Sequence, residues 1–380
     1  MEGGTLYRIE KRIGLVKHPS SFTVRRAVFA AILTWLPLFI LSAIQGMAWG
    51  HKVPVSFLRD YSTYSRFLLA VPLFLLAENI LAPRIAEAVA HFITSGLVKE
   101  SDFQRFSDAI DEGMRSRDSV VAEIVMLVIS YIITIVAFKT FAVTGSTWFA
   151  NPGITGSSFT WAGWWLILVS TPVLQFLLLR WLWRLFLWFR FLGRVRRLDL
   201  QLFPTHPDES GGLGFVGEVQ RFFGILLFAY SVASTGVLAN EIVYEKIPLM
   251  HFVPAIITYV VIALSIILLP LAVFTRTLLV TKRLGLHKYG TLATEYTGAF
   301  HKRWIRKDDS GQEPLLGTGD IQSLADLGNS YAIIQRMDAL PVNPRTLIHL
   351  LIATLLPITP LLLTVMPLKD VLKLLFKVLM

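Results

Sequence analysis

The sequence predicts an all-α, polytopic helical membrane protein with about seven transmembrane helices and amphipathic helices on the cytoplasmic side. Three observations predict it. Of 380 residues, 54% are hydrophobic and only 16% charged, whereas soluble domains carry about 25% charged residues. About seven apolar segments approach the roughly 20 residues needed to cross a hydrocarbon core about 30 Å thick. The basic residues behind the net charge of +10 gather beside alternate ends of those segments, as they do in loops that stay cytoplasmic.

Residues 1–26 form a basic cytoplasmic N-terminus with Arg8, Lys11, Arg12, Lys17, Arg25 and Arg26. The apolar run after it is too long for a signal h-region and has no small-residue cleavage site, so it reads as an uncleaved first span, 27–47. Span two, 66–82, is the shortest and closes the unit 27–82. In the cytoplasmic segment 83–118, Ser101 and Gln104 have capping-box spacing, and Phe103, Phe106 and Ile110 follow at helical spacing, which predicts a short amphipathic helix.

Unit 119–180 holds span three, 119–138, and span four, 161–180. Trp161, Trp164 and Trp165 open span four, and Trp181, Trp183 and Trp188 follow its end. At 1.5 Å per residue, Trp161 and Trp181 are about 30 Å apart, the separation of two interfacial aromatic belts. Residues 181–218 then form an interfacial Arg/Trp helix and a glycine-rich turn. Unit 219–274 holds spans five, 219–240, and six, 252–274.

The cytoplasmic segment 275–345 predicts helices over 291–305 and 321–337, joined by a polar linker, 307–319. Asp320 stands where an N-cap is expected, with Ile321, Leu324, Leu327, Tyr331 and Ile334 along one face. Asn343 and Pro344 supply the cap and first position of span seven, 346–365. In the tail, 366–380, Leu368, Val371, Leu372, Leu375 and Leu379 oppose Lys369, Lys373 and Lys377, the pattern of a helix lying in the interface plane.

Roughly 28 of the 36 Lys and Arg fall on the side of the N-terminus and roughly 8 on the other, which predicts a cytoplasmic N-terminus. An odd number of spans puts the C-terminus outside, and the lysines of the tail count against that placement. No internal repeat is visible, which weakens a transporter built on inverted repeats. The absence of cysteine rules out disulfides, thiolate metal ligands, iron–sulfur clusters and a cysteine nucleophile. The basic residues flank spans instead of alternating with stacking aromatics on a soluble face, so no nucleic-acid partner is expected.

The most polar turn of the chain is 203–217, FPTHPDESGGLGFVG. His206, Asp208 and Glu209 are weak catalytic candidates, as a base with its orienting partner, or ligands for a divalent metal. Metal sites need three or four ligands, and His287, Glu295 and His301 lie on another segment. The competing reading makes Asp208 or Ser210 the cap of span five. Gly211, Gly212 and Gly214, with Gly217 beyond them, leave amides open before a helix start, as an anion or lipid-headgroup site would. There is no preceding strand and no GxxxxGK[ST], so this is not a nucleotide loop. His206-Pro207-Asp208 also spells the J-domain tripeptide; its flanks here are an interfacial helix and a span, and the match is read as chance.

Arg180, Arg184, Arg190, Arg194, Arg196 and Arg197 could hold anionic headgroups, or simply keep one helix end on the cytoplasmic side. Polar span residues are Glu78, Glu123 and Lys139 toward span ends, and Tyr230, Ser231, Ser234 and Thr235 near the middle of span five. Pro172, Pro270, Pro357 and Pro360 are expected to kink their spans.

Two stretches, LFPTHPDESGGLGFVG (202–217) and EPLLGTGDIQSLADLGNSYAIIQRM (313–337), together with the spans around them, resemble a family of uncharacterised bacterial multi-pass inner-membrane proteins. The similarity covers most of the chain. It implies a bacterial inner-membrane setting and a function shared with that family, and it brings no established activity. The expectation from the residues is a channel or transporter for a small ion or solute, with 203–217 as a cytoplasmic gate or anion-binding element. One alternative is a membrane-surface enzyme acting on a phosphate-bearing lipid or small molecule through His206, Asp208 and Glu209. Another is a scaffold or sensor for a cytoplasmic partner. The expected surroundings are a bilayer with anionic headgroups, no cofactor is called for, and a homo-oligomer is compatible with all three readings.

Overall fold

The computed structural model describes residues 19–140, 147–151, 158–306 and 319–364, and they form a helical bundle. Among the described residues, seven helices are long and apolar enough to cross a membrane: Thr23–Ile44, Tyr61–Thr94, Val120–Lys139, Trp161–Val195, Gly214–Tyr244, Leu249–Arg306 and Pro344–Thr364. Strand pairing there is confined to Ala150–Asn151 with Ser158–Phe159 and one bridge, Val98 to Leu200. On span three, Val121, Ile124, Val128, Ile132 and Val136 are all exposed. A stripe of that kind needs lipid as its solvent, so the chain is an all-α multi-pass membrane protein. The face from which span one departs is called proximal below, and the opposite face distal.

Span two is the hub, packing against spans one, four and five, while span three packs chiefly on span four. Spans two and five approach closely at Gly236, where a Cβ would lie 1.9 Å from Ser65 Oγ and 2.7 Å from the Tyr61 carbonyl. Hydrogen bonds tie other pairs: Ser170 Oγ to the Thr34 carbonyl (2.7 Å), Thr134 Oγ1 to Gln175 Oε1 (2.9 Å) and Gln220 Nε2 to the Ile267 carbonyl (2.7 Å). In hydrocarbon such bonds replace the water these groups lack.

Four expectations change. Span two runs over 34 residues, Tyr61–Thr94, because the polar residues on either side of 66–82, Tyr61 to Ser65 before it and Arg84, Glu87 and His91 after it, interrupt its hydropathy without interrupting its helix. The expected separate helix 291–305 is the end of one continuous helix, Leu249–Arg306. Arg276, Lys282 and Arg283 mark its departure from lipid, and no glycine–proline stop follows them. The capping box is not formed: Asp102 is the N-cap of Phe103–Arg117 without a side-chain bond, and Gln104 donates to Asp108 instead. Asp320 does not cap its helix either. Gly319 holds that position, and the Asp320 carboxylate accepts from Trp304 Nε1 at 2.9 Å.

The second aromatic belt is also corrected. Trp181 and Trp188 are buried, and Trp181 Nε1 donates to the Phe74 carbonyl at 2.9 Å, so they belong to the core of a helix that continues to Val195. Trp161 and Trp164 remain exposed at its distal end. The Asn343–Pro344 start of span seven holds, with Asn343 Oδ1 accepting from the Arg345 amide at 2.9 Å. The basic N-terminal stretch up to residue 18, linker residues 307–318 and the amphipathic tail lie outside the described residues.

Five span prolines coincide with departures from α-geometry. π-helical turns Tyr64–Ala70 and Leu166–Ser170 sit just before Pro72 and Pro172. A proline lacks its amide and collides with the carbonyl four residues earlier, here Leu68 and Leu168, and a widened turn relieves both problems. Pro270 lies in the 3₁₀ stretch Leu269–Phe274, and Pro357 and Pro360 in Leu356–Thr364. Pro37 and Pro83 stay within regular α-helix.

Candidate functional site

The turn 203–217 is built around one carboxylate. Asp208 accepts the amides of Ser210 (2.9 Å), Gly212 (3.1 Å) and Gly214 (2.8 Å), the last opening helix Gly214–Phe222. His206 Nδ1 lies 2.7 Å from Asp208 Oδ1. Closing the loop this tightly needs left-handed backbone: φ is +66° at Gly211, +99° at Gly212 and +53° at Glu209. The acceptor that the open amides meet is therefore the chain's own side chain.

Glu209 points the other way. Its carboxylate faces Arg336 Nε at 3.0 Å, and its carbonyl accepts the Asp338 amide at 2.8 Å. Gly211 packs near Met337, and Pro204 against Gly285 of span six. Lys282 Nζ donates to the Met337 carbonyl at 2.8 Å, and the Gln201 amide to the Leu97 carbonyl at 2.8 Å. The stretch 202–217 and the end of 313–337, far apart in sequence, thus meet in a proximal clasp that also touches spans five and six and the chain leaving span two. His206 and Asp208 come together, and Glu209 does not join them. Among the described residues, no group of three or more His, Asp or Glu side chains is placed to hold a metal ion.

The arginine run divides by partner. Arg184 reaches Glu78 at 2.8 Å, with Arg180 at 4.0 Å and Arg26 of span one at 3.7 Å. Glu78 is 9% exposed, and it lies about 26 Å along span two from Tyr61 at 1.5 Å per residue. One buried carboxylate thus gathers three guanidinium groups from spans one and four. Arg190 and Arg194 both pair with Glu112 on helix Phe103–Arg117. The Arg194 hydrogen bond, with charge from Arg194, Arg190 and Arg115, holds the Glu112 carboxyl below the usual range. Arg196 and Arg197 are exposed.

Toward the distal face, Asp60 is 4% exposed and accepts from Trp148 Nε1 (2.8 Å), Asn240 Nδ2 (2.6 Å) and the Ser62 amide (2.9 Å). Arg66, in the π-helical turn of span two, lies within electrostatic reach of Asp60 and Tyr230. Ser231 Oγ and Tyr259 Oη are 2.8 Å apart, Tyr230 and Tyr259 rings stand 5.2 Å apart, and Thr235 Oγ1 donates to the Ser231 carbonyl. Ser234 is half-buried beside them, Glu123 is half-buried in the first turn of span three, and Lys139 is exposed at its end.

Sequence reasoning missed Asp60 and Arg66. The expected span began at Arg66, which made that arginine a terminus and left Asp60 in a loop. The signal that could have found them is Asp60-Tyr-Ser-Thr, a helix-capping Asp placed ahead of an apolar run. Compared with known proteins, the chain matches no family model, no curated protein and no solved structure.

Proposed function

We propose that the chain is a bacterial inner-membrane protein, N-terminus cytoplasmic, that forms a passage or regulated site for a small ion or solute, with an anion favoured. The observation that carries this reading is the charge on span two. Arg66 and the Glu78 cluster occur on one central helix, about 18 Å apart at 1.5 Å per residue, and three guanidinium groups surround the single carboxylate. Ionisable groups at bilayer depth are costly and commonly mark ion or substrate pathways. Tyr230, within electrostatic reach of Arg66, packs near Tyr259, which with Ser231 and Thr235 adds further polar groups to that level. The proximal clasp at 203–217 is the regulating element in this reading, because it touches spans five and six and the end of span two together.

Purified protein in liposomes, given gradients of small anions, cations and neutral solutes, tests the proposal. Flux of at least one small anion, reduced by Arg66→Gln in protein that still folds, is the expected result. No flux of any species under any gradient overturns it. The reading as an enzyme at His206, Asp208 and Glu209 draws less support, since the Asp208 carboxylate already accepts three amides and Glu209 is turned to Arg336.

A further inference from the structure

Where the end of span four meets the proximal half of span six, an open groove of about 430 Å³ is lined by Arg196, Arg276 and Arg283 with Val273, Leu279 and Val280 among its walls. No acidic residue lines it. Four other arginines of the run have found carboxylates: Arg180 and Arg184 face Glu78, and Arg190 and Arg194 face Glu112. None of the groove's three makes an ion pair or a side-chain hydrogen bond with another described residue. Three guanidinium groups without a counter-charge call for an anion.

The walls say what kind of anion. Ala272, Arg276, Leu279, Val280 and Arg283 fall on one face of the helix, and Leu279 and Val280 are 49% and 50% exposed. A water-facing helix would carry polar groups at those positions. Arg276 lies about 40 Å along span six from Leu249 at 1.5 Å per residue, and a bilayer with its headgroups is about 40–45 Å thick. Charge and apolar surface therefore coincide at headgroup depth on the proximal side.

We infer that this groove is a binding site for one anionic phospholipid of the proximal leaflet, its phosphate held by Arg196, Arg276 and Arg283, its glycerol ester region set against Leu279 and Val280, and its acyl chain leading inward past Val273. The site is independent of the passage proposed above and stands whether or not a solute crosses the bundle. It also separates Arg196 from its neighbour Arg197, which is exposed but does not line the groove.

Native mass spectrometry of the full chain in detergent, titrated with phosphatidylglycerol, with phosphatidylcholine of the same chains, and with glycerol phosphate, tests the inference. Retention of phosphatidylglycerol over the other two is expected. Arg196→Gln/Arg276→Gln/Arg283→Gln should weaken it on the order of a hundred-fold, since each arginine at a charged surface is worth about a factor of five. Arg197→Gln should leave it unchanged, and Leu279→Ser/Val280→Ser should weaken it with all arginines in place. Equal retention of the two lipids, equal losses from Arg197→Gln and the triple variant, or competition by glycerol phosphate at matched concentration would each overturn it; the last would make this a soluble-phosphate site. Should the triple variant fail to fold, a photoreactive phosphatidylglycerol on the unaltered protein decides: its cross-links must fall within 272–283 or at Arg196, and cross-links elsewhere refute the site.

Discussion

Replacing Glu78 by Gln probes the centre of the bundle. The carboxylate lies 2.8 Å from Arg184, 3.7 Å from Arg26 and 4.0 Å from Arg180, and the side chains of all four residues are 11–12% exposed. At an effective dielectric near 20, a unit charge pair at 4 Å is worth about 4 kcal/mol before desolvation. Removing one partner of a buried pair typically costs about 3–5 kcal/mol, because the remaining charge is left uncompensated. The amide keeps an acceptor oxygen for Arg184, so Glu78→Gln should cost about 3 kcal/mol, near the low end of that range. Arg184→Gln leaves Glu78 with Arg26 and Arg180 and should cost about 1–2 kcal/mol, less than breaking the pair outright. The double substitution should cost less than the sum, with a coupling of about 1–2 kcal/mol between these touching residues.

Equilibrium unfolding in mixed maltoside and dodecyl sulfate micelles supplies the three free energies. A Glu78→Gln loss below about 1 kcal/mol would contradict buried-pair energetics. Additivity within about 0.3–0.5 kcal/mol would show that Glu78 and Arg184 do not share a network at all. The same variants separate stability from transport. Restoring folding with the double substitution while flux stays lost would assign Glu78 to the passage, and recovery of both would assign it to packing.

The clasp and the Glu112 contact give two more outcomes. Asp208→Ala removes the acceptor of three amides; losing the acceptor of the Gly214 amide that opens the helix costs about 1 kcal/mol and the further amides about another, for a total near 2 kcal/mol because water can reach part of the loop. Increased proteolytic cutting within 203–217 should accompany that loss, and an unchanged cutting rate would rule out Asp208 as the organiser of the turn. For Glu112, the folded carboxyl titrates below its unfolded value. Its contribution to docking helix Phe103–Arg117 on span four is therefore present above the unfolded carboxylate value of about 4.3 and lost as pH falls through the lower folded value. Protection of that helix from hydrogen exchange, taken relative to the intrinsic amide rate, should fall between about pH 5 and pH 3, and should lose this dependence in Glu112→Gln.

Most of the bundle was legible because lipid imposes one rule, a run of apolar residues long enough to cross, and that rule is local in sequence. What was not legible depends on partners that are remote. Arg84 and Glu87 ended the expected second span because hydropathy counts each charge as the edge of a crossing segment, while in the fold the helix runs on to Thr94 and Arg84 pairs with Glu87. Trp181 and Trp188 looked like an interfacial girdle at the right spacing, and burial against other helices, which spacing cannot report, made them core. The turn at 203–217 was identified as the polar centre of the chain. Its wiring, with Asp208 turned inward to amides and Glu209 outward to Arg336, depends on a left-handed residue at Glu209 that no composition rule anticipates.

The same reasoning explains why the arginine run could not be sorted by its spacing. Arg180, Arg184, Arg190, Arg194, Arg196 and Arg197 all follow span four's exit, and a charge count gives each the same topological role. The structure divides them by the carboxylate each can reach: Glu78 within the bundle, then Glu112 on the proximal helix, then none among the described residues. A guanidinium paired with a buried carboxylate joins two helices, one paired with a proximal helix docks that helix, and one without a carboxylate is open to another anion. Position along a single helix therefore decides which partner each side chain can meet, and the partner follows from which neighbouring element ends at each level.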